Sequence, residues 1–194
     1  MGLEIELDKF LKIKTNGRDD SNSNFVNYPY EPTPYCVLQA LSNSGYINKR
    51  DVIIDFGCGK GRVDFFLAYS NKAKMIGVEY DERLYNRALD NLSTSINSNK
   101  VFFVNICASL FQNFDEVTAA YFFNPFSVEV LEKVIANIKK FKKDKEIKLF
   151  FYYPSKEYIK FLEEDNMIIY VDKIDCTALF DEYNEREYIA VYKI

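Results

Sequence analysis

The chain has 194 residues, a formal net charge of −4 and no histidine, with 48% hydrophobic and 28% charged residues. Length and composition fit one domain with a sizeable core, and the acidic balance argues against a broad nucleic-acid footprint. Absence of histidine excludes an imidazole-built zinc site and any Ser-His or Cys-His catalytic pair, and Cys36, Cys58, Cys107 and Cys176 lack metal-ligand spacing. No apolar run approaches the ~20 residues of a membrane span, and Met1 to Glu6 carry no basic signal-peptide region. A cytoplasmic protein with reduced thiols is expected.

Residues 1–27 are polar and read as a lead-in segment, with a loop over Asn16 to Asn24, ahead of a single domain over 28–194. Tyr28 to Tyr35 holds three prolines that force an extended path, either as a lid over a ligand or as an aromatic strap on the core. Thr33 as N-cap and Pro34 as first helical residue open a helix bearing Val37, Leu38, Ala40 and Leu41, which Gly45 can close.

The next stretch is the most informative. Val52 to Phe56 is a β-branched apolar run suited to a central parallel strand. Gly57, Gly59 and Gly61 then allow a sharp turn and close approach to a ligand, and Val63, Phe66 and Leu67 resume at helical spacing. Arg62 stands where a dinucleotide fingerprint needs a small residue, and a P-loop's spacing and Lys-Ser/Thr are missing, so neither phosphate-binding pattern is met. A cation at a helix start opposes the macrodipole. Arg62 therefore either pairs with Asp64 or another acid, or meets a carboxylate of the ligand.

Lys74 to Glu79 reads as the second strand, ending on an acid placed to accept ribose hydroxyls. Asp81 caps a helix with the stripe Leu84, Ala88, Leu89 and Leu92. Strands follow over Val101 to Val104 and Ala119 to Phe123, then a helix from Ser127 carrying Leu131, Val134, Ile135 and Ile138. Lys148 to Tyr153 is the fifth strand, Pro154 and Ser155 start a helix, and Met167 to Val171 and Tyr188 to Tyr192 are the last two strands. This alternation predicts a doubly wound, mostly parallel α/β sheet, with the final pair antiparallel because no strong helix separates them. The lysine cluster from Lys139 to Lys148 falls at the amino ends of the strands, as a solvated charge run.

With Asp55 two residues ahead of the turn, Asp55-Phe56-Gly57-Cys58-Gly59-Lys60-Gly61 resembles motif I of the class I S-adenosylmethionine-dependent methyltransferases. The resemblance covers about residues 33–194 and implies a three-layer αβα sandwich with a Rossmann-like seven-stranded sheet, and S-adenosyl-L-methionine as cofactor. It implies Glu79 as the ribose-binding acid and Tyr80 beside the adenine. Further cofactor contacts are implied at Tyr30, Thr33, Asp55, Gly57, Cys58, Gly59, Gly61, Arg62, Asn105, Ile106 and Asn124. The run Asn124-Pro125-Phe126 after the fourth strand is similar to the N-P-P-Y/F motif of amino-group methyltransferases, with the second proline replaced by Phe126. There Asn124, Pro125 and Phe126 would carry the acceptor chemistry, Asn124 orienting an amine, with Phe126 or Tyr153 stacking on it. The residues also allow a turn in which Ser127 caps the next helix. The expected activity is methylation of a nitrogen on a small molecule or protein side chain, the acceptor being unidentified; the alternative is a non-catalytic nucleotide-binding module of the same fold.

Overall fold

The computed structural model describes residues 2–20, 29–96 and 98–194. Tyr28 of the proline strap and Ser21 to Asn24 of the expected loop lie outside the described residues. Among the described residues one seven-stranded sheet is formed: β1 (Val52–Phe56), β2 (Lys74–Glu79), β3 (Val101–Asn105), β4 (Ala119–Phe122), β5 (Lys148–Tyr152), β6 (Ile169–Asp175) and β7 (Tyr188–Lys193). Spatial order is β3-β2-β1-β4-β5-β7-β6. β1 pairs in parallel with β2 and β4, and β7 runs antiparallel to both β5 and β6. The doubly wound sheet with an antiparallel end is thus as expected. Strand order reverses between β2-β1 and β1-β4, so the crevice for a ligand opens at the carboxyl ends of β1, β2 and β4.

Helices α1 (Gly2–Leu11), α2 (Tyr35–Asn43), α3 (Arg62–Ser70), α4 (Glu82–Thr94), α5 (Val128–Phe141) and α6 (Lys156–Glu164) cover the two faces. One core cluster joins α1, α2 and α3 to the sheet through Leu11, Tyr35, Leu38, Phe65 and Leu67; the other joins α5 and α6 through Leu131, Ile135, Tyr158 and Leu162. A stacked ladder of Phe56, Phe122 and Phe151 crosses three neighbouring strands, with ring centroids 5.2 and 4.6 Å apart.

Four local expectations change. The polar lead-in contains α1, whose Leu7 and Leu11 lie four residues apart and pack on the core, followed by buried Ile13. Thr33 does not cap α2; Pro34 takes the N-cap position, and the Thr33 hydroxyl lies 3.0 Å from the Tyr121 hydroxyl instead. On α4, Asp81 caps as expected by accepting the Arg83 N–H, but Leu89 is exposed and Asn91 is buried, held by Lys14 and Lys60. Ser127 occupies the N-cap position of α5 without a capping side-chain bond.

Candidate functional site

The glycine turn shapes the site. Gly57 and Gly59 have φ of +77° and +55°, a left-handed backbone that a side chain would strain. A Cβ on Gly57 would fall 2.4 Å from Pro125 Cβ, and one on Gly59 would fall 2.2 Å from the Tyr30 ring. The turn is therefore gripped by the Asn124-Pro125-Phe126 segment on one side and the proline strap on the other.

The amides of this turn point inward. Gly57 and Cys58 N–H donate to Val78 O at 2.8 and 3.2 Å, Gly61 N–H donates to Cys58 O, and Gly59 N–H donates to Glu79 Oε2 at 2.9 Å. A phosphate-binding turn needs those N–H groups free for the anion. Here they are spent within the protein.

Carboxyl groups line the same cleft. Asp55, Glu79 and Asp81 from the strand ends face it together with Asp19 and Glu31 from the N-terminal part, beside Tyr30, Thr33, Gly57, Cys58, Arg62, Tyr80 and Ile106. Burial pushes Glu79 up, while the Gly59 and Asp81 amides oppose the shift. Its two oxygens accept Gly59 N–H and, at 2.8 Å, Asp81 N–H, and each keeps a second lone pair for a ligand hydroxyl. Asp55 is raised to about 7 by burial, with Asp64 as hydrogen-bond partner and the Glu79 charge adding to the rise.

Tyr30, Thr33, Asp55, Gly57, Cys58, Arg62, Glu79, Tyr80 and Ile106 of the expected cofactor residues meet here, whereas Gly59, Gly61, Asn105 and Asn124 are not part of the cleft lining; Asn105 lies behind it. Its side-chain amide donates to Glu79 O at 2.8 Å and to Tyr80 O at 3.2 Å, so it fixes the strand end that presents them. Arg62 is 2% exposed and pairs with neither Asp64 nor solvent. It donates from Nε to Thr15 Oγ1 at 2.7 Å, from Nη2 to Asn16 Oδ1 at 2.8 Å and from Nη1 to Glu4 and the Thr33 carbonyl, with Asp8 at 3.7 Å and the Tyr35 ring 4.5 Å away. Of the two partners expected for Arg62, a neighbouring acid is present, supplied by α1. The strap is held too: Tyr30 Oη donates to Thr15 O at 2.6 Å, and its backbone bridges Asp19.

Sequence reasoning did not single out Tyr121, Cys107 and Ala108 as cleft residues, nor Asp81 beyond its capping role. Three of them follow directly from topology, since they lie at or just past the carboxyl ends of β2 and β3. Tyr121 reaches the cleft because the parallel register places it beside Asp55.

A second depression adjoins the first, sharing Pro29, Glu31 and Phe123 with it, and is further lined by Asn124, Tyr152, Tyr153, Phe180 and Glu187. Asn124 has φ +39°. Its Nδ2 donates to Tyr153 O and its Oδ1 accepts Ser155 N–H at 3.1 Å, so the amide ties the end of β4 to the loop after β5. Phe126 is 3% exposed and packs edge-on to Phe122, its carbonyl accepting the Tyr158 hydroxyl at 2.6 Å. Of the two rings expected to stack on an acceptor, Tyr153 faces the second depression and Phe126 borders the first.

No family model matches the chain. A protein-lysine N-methyltransferase of Saccharolobus islandicus is 34% identical over 65 residues, a match spanning 33% of this chain and 40% of that protein. Among solved structures, an RNA methyltransferase from Salinibacter ruber in complex with S-adenosyl-L-homocysteine aligns at TM-score 0.56 with 18% identity, over 84% of this chain and 92% of that one. The human methyltransferase 10 domain containing protein aligns at 0.64 with 13% identity, over 97% and 92%. The precorrin-6y C5,15-methyltransferase of Geobacter metallireducens aligns at 0.61 with 16% identity, over 93% and 97%. Two of these neighbours are named for different acceptors, an RNA and precorrin-6y, so the architecture does not choose an acceptor. With its strand order, its antiparallel end and a ligand cleft at the switch point, the chain has the Rossmann-like, seven-stranded fold of the class I S-adenosylmethionine-dependent methyltransferases.

Proposed function

We propose that this chain is an S-adenosyl-L-methionine-dependent methyltransferase that methylates a nitrogen of a small molecule or of a protein side chain. One observation carries the cofactor choice: the glycine turn spends its amides internally while carboxyl groups line the cleft. Arg62 and Arg83 also border the cleft but are paired with Glu4 and Asp81, so the site disfavours a pyrophosphate and suits a nucleoside bearing positive charge. Glu79 would accept the ribose hydroxyls, Tyr80 and Ile106 would flank the base, and Asp55 would face the cationic end. The four free cysteines suit a reducing cytoplasm.

The bound cofactor would supply a methyl group already activated on its sulfonium, so the residues of this chain have to position, desolvate and accept a proton. The second depression supplies the acceptor side. Its aromatic rings match an aliphatic amine, whose cationic form favours π faces and anions; of its carboxylates, Glu31 lies 3.7 Å from Arg18, which also lines the depression, and Glu187 accepts the Tyr152 hydroxyl. Asn124 Oδ1 retains a lone pair for an amine N–H, and Glu31, shared by both depressions, can take the proton that the nitrogen releases on methylation. Similarity to a protein-lysine N-methyltransferase supports nitrogen as the acceptor atom.

Transfer of labelled methyl from S-adenosyl-L-methionine to a cell extract, fractionated by molecular size, tests this reading. Label on protein lysine or on a small amine is expected. Label on RNA would overturn the acceptor class, and cofactor binding without any transfer would favour the non-catalytic module.

A further inference from the structure

Asp64 lies in the first turn of α3, fully buried, and neither of its carboxyl oxygens has a hydrogen-bonding donor from another residue. An ionised carboxylate in that position would bear a desolvation cost with no compensating partner. Arg62, two residues earlier, is committed to α1 and the strap, so it offers no charge to Asp64. What Asp64 does meet is Asp55, at the end of β1 and on the floor of the cleft.

We propose that Asp64 is a protonated carboxylic acid whose O–H donates a hydrogen bond to Asp55, a positioning residue that holds Asp55 ionised and oriented toward a cationic ligand in the cleft. Two adjacent buried carboxyl groups cannot both ionise, and the one remote from the cleft is the one that keeps the proton. This inference rests on the proposed cofactor in its ligand half alone; the shared proton belongs to the free protein.

The surroundings agree. Asp55 is faced by Glu79 from β2, by Tyr121 from β4, by Tyr30 from the strap and by Cys58 from the turn; Cys58 also faces Asp64. Burial pushes Tyr30, Tyr121 and Cys58 upward, so they stay neutral near neutral pH, and none of these neighbours brings positive charge. Burial pushes both carboxyls upward, and the Asp55 charge adds to the rise of Asp64. Asp55 lines the cleft and Asp64 does not, so Asp64 is the partner that stays protonated while Asp55 titrates.

Carboxyl carbon NMR of aspartate-labelled free protein, from about pH 6 to about pH 9, tests the pair without any ligand. One carboxyl should stay protonated throughout and vanish in Asp64→Asn. A second should titrate near 7 and vanish in Asp55→Asn. Asp64→Leu, close in volume, removes the donor and should move the Asp55 midpoint upward by about one pH unit or more, whereas Asp64→Asn keeps a donor and should leave it near the wild-type position. Calorimetry with S-adenosyl-L-methionine then reads the ligand half: affinity should weaken about tenfold per pH unit below the Asp55 midpoint, with Asp64→Leu displaced to higher pH and converging on wild type in alkali. Glu79→Gln serves as the control for the other cleft carboxylate. An Asp64 carboxyl that is ionised at neutral pH, or an Asp55 midpoint unmoved in folded Asp64→Leu, would overturn the proposal. Absence of cofactor binding with the NMR result intact would instead overturn the proposed function.

Discussion

Gly57 and Pro125 are in direct contact across the gap between β1 and β4, with no room for a Cβ on the glycine: one placed there would lie 2.4 Å from Pro125 Cβ. The cofactor turn and the Asn-Pro-Phe segment are thus parts of one packed unit. Gly57→Ala combines this clash with a positive φ, and should cost roughly 1–3 kcal/mol of stability. Turnover should fall at least as much as cofactor affinity, because Pro125 and Asn124 are displaced together. Urea unfolding with calorimetry and initial-rate assays checks both.

Glu79 links the turn to the start of α4 through Gly59 N–H and Asp81 N–H. Glu79→Ala leaves both amides unpaired and removes the proposed ribose acceptor. Affinity for S-adenosyl-L-homocysteine should drop by about tenfold or more, since hydrogen bonds to charged groups are worth about 1.5–3 kcal/mol. Glu79→Gln should lose less, as it retains one acceptor oxygen. Titration calorimetry distinguishes the two.

Asn124 should separate binding from rate. Its amide bonds to the Tyr153 carbonyl and the Ser155 N–H, away from the glycine turn. Asn124→Ala should slow turnover by about a hundredfold while changing cofactor affinity by less than about threefold. Steady-state kinetics beside calorimetry on the same preparation provide the measurement.

Removal of α1 should unfold the site. Arg62 is buried against Glu4 and Asp8, and Asp8 also accepts bonds from Thr15 N–H, Thr15 Oγ1 and the Tyr35 hydroxyl, all at 2.6–2.7 Å. Arg62→Ala leaves these acids without their cation and should destabilise the protein by roughly 3–5 kcal/mol. A chain lacking residues 2–16 should show a comparable loss in urea unfolding, and with it lost cofactor binding.

The pH dependence of stability has a defined sign at Asp55. Its folded value lies near 7, above its unfolded carboxylate value, so its contribution is fully present below about pH 4 and is lost as pH rises through about 7. The stability advantage of wild type over Asp55→Asn should therefore shrink from acid toward neutral pH. Urea midpoints of the two proteins across that window supply the check.

Most of the sheet was legible because its strands are apolar runs and its breaks are glycine, proline and Asp caps; the exception is β6, expected over Met167 to Val171, which runs from Ile169 to Asp175 through Asp172 and Lys173 on an exposed edge. Among the residues that line the cleft, Glu79 and Gly57 were legible from the strand-turn pattern, and Asp55 and Ile106 through the family resemblance. The role of α1 was not: hydropathy counts Glu4, Asp8 and Thr15 as surface residues, yet they are the polar partners that Arg62 requires once buried. Leu89 failed for the opposite reason, since Asn91 takes the inward position of α4 by bonding to Lys14 and Lys60. Long-range side-chain bonds of this kind leave no periodic trace in a sequence. The buried state of Asp64 is equally silent there, because the residue suits the first turn of any exposed helix.

Calorimetric titration of the purified protein with S-adenosyl-L-homocysteine and, separately, with NAD identifies the nucleotide that the cleft accepts. The inward-turned amides and carboxyl-lined cleft predict saturable binding of S-adenosyl-L-homocysteine, weakened in Glu79→Ala, and no binding of NAD. Tight NAD binding with none of S-adenosyl-L-homocysteine would make the cleft a dinucleotide site and rule out the proposed cofactor.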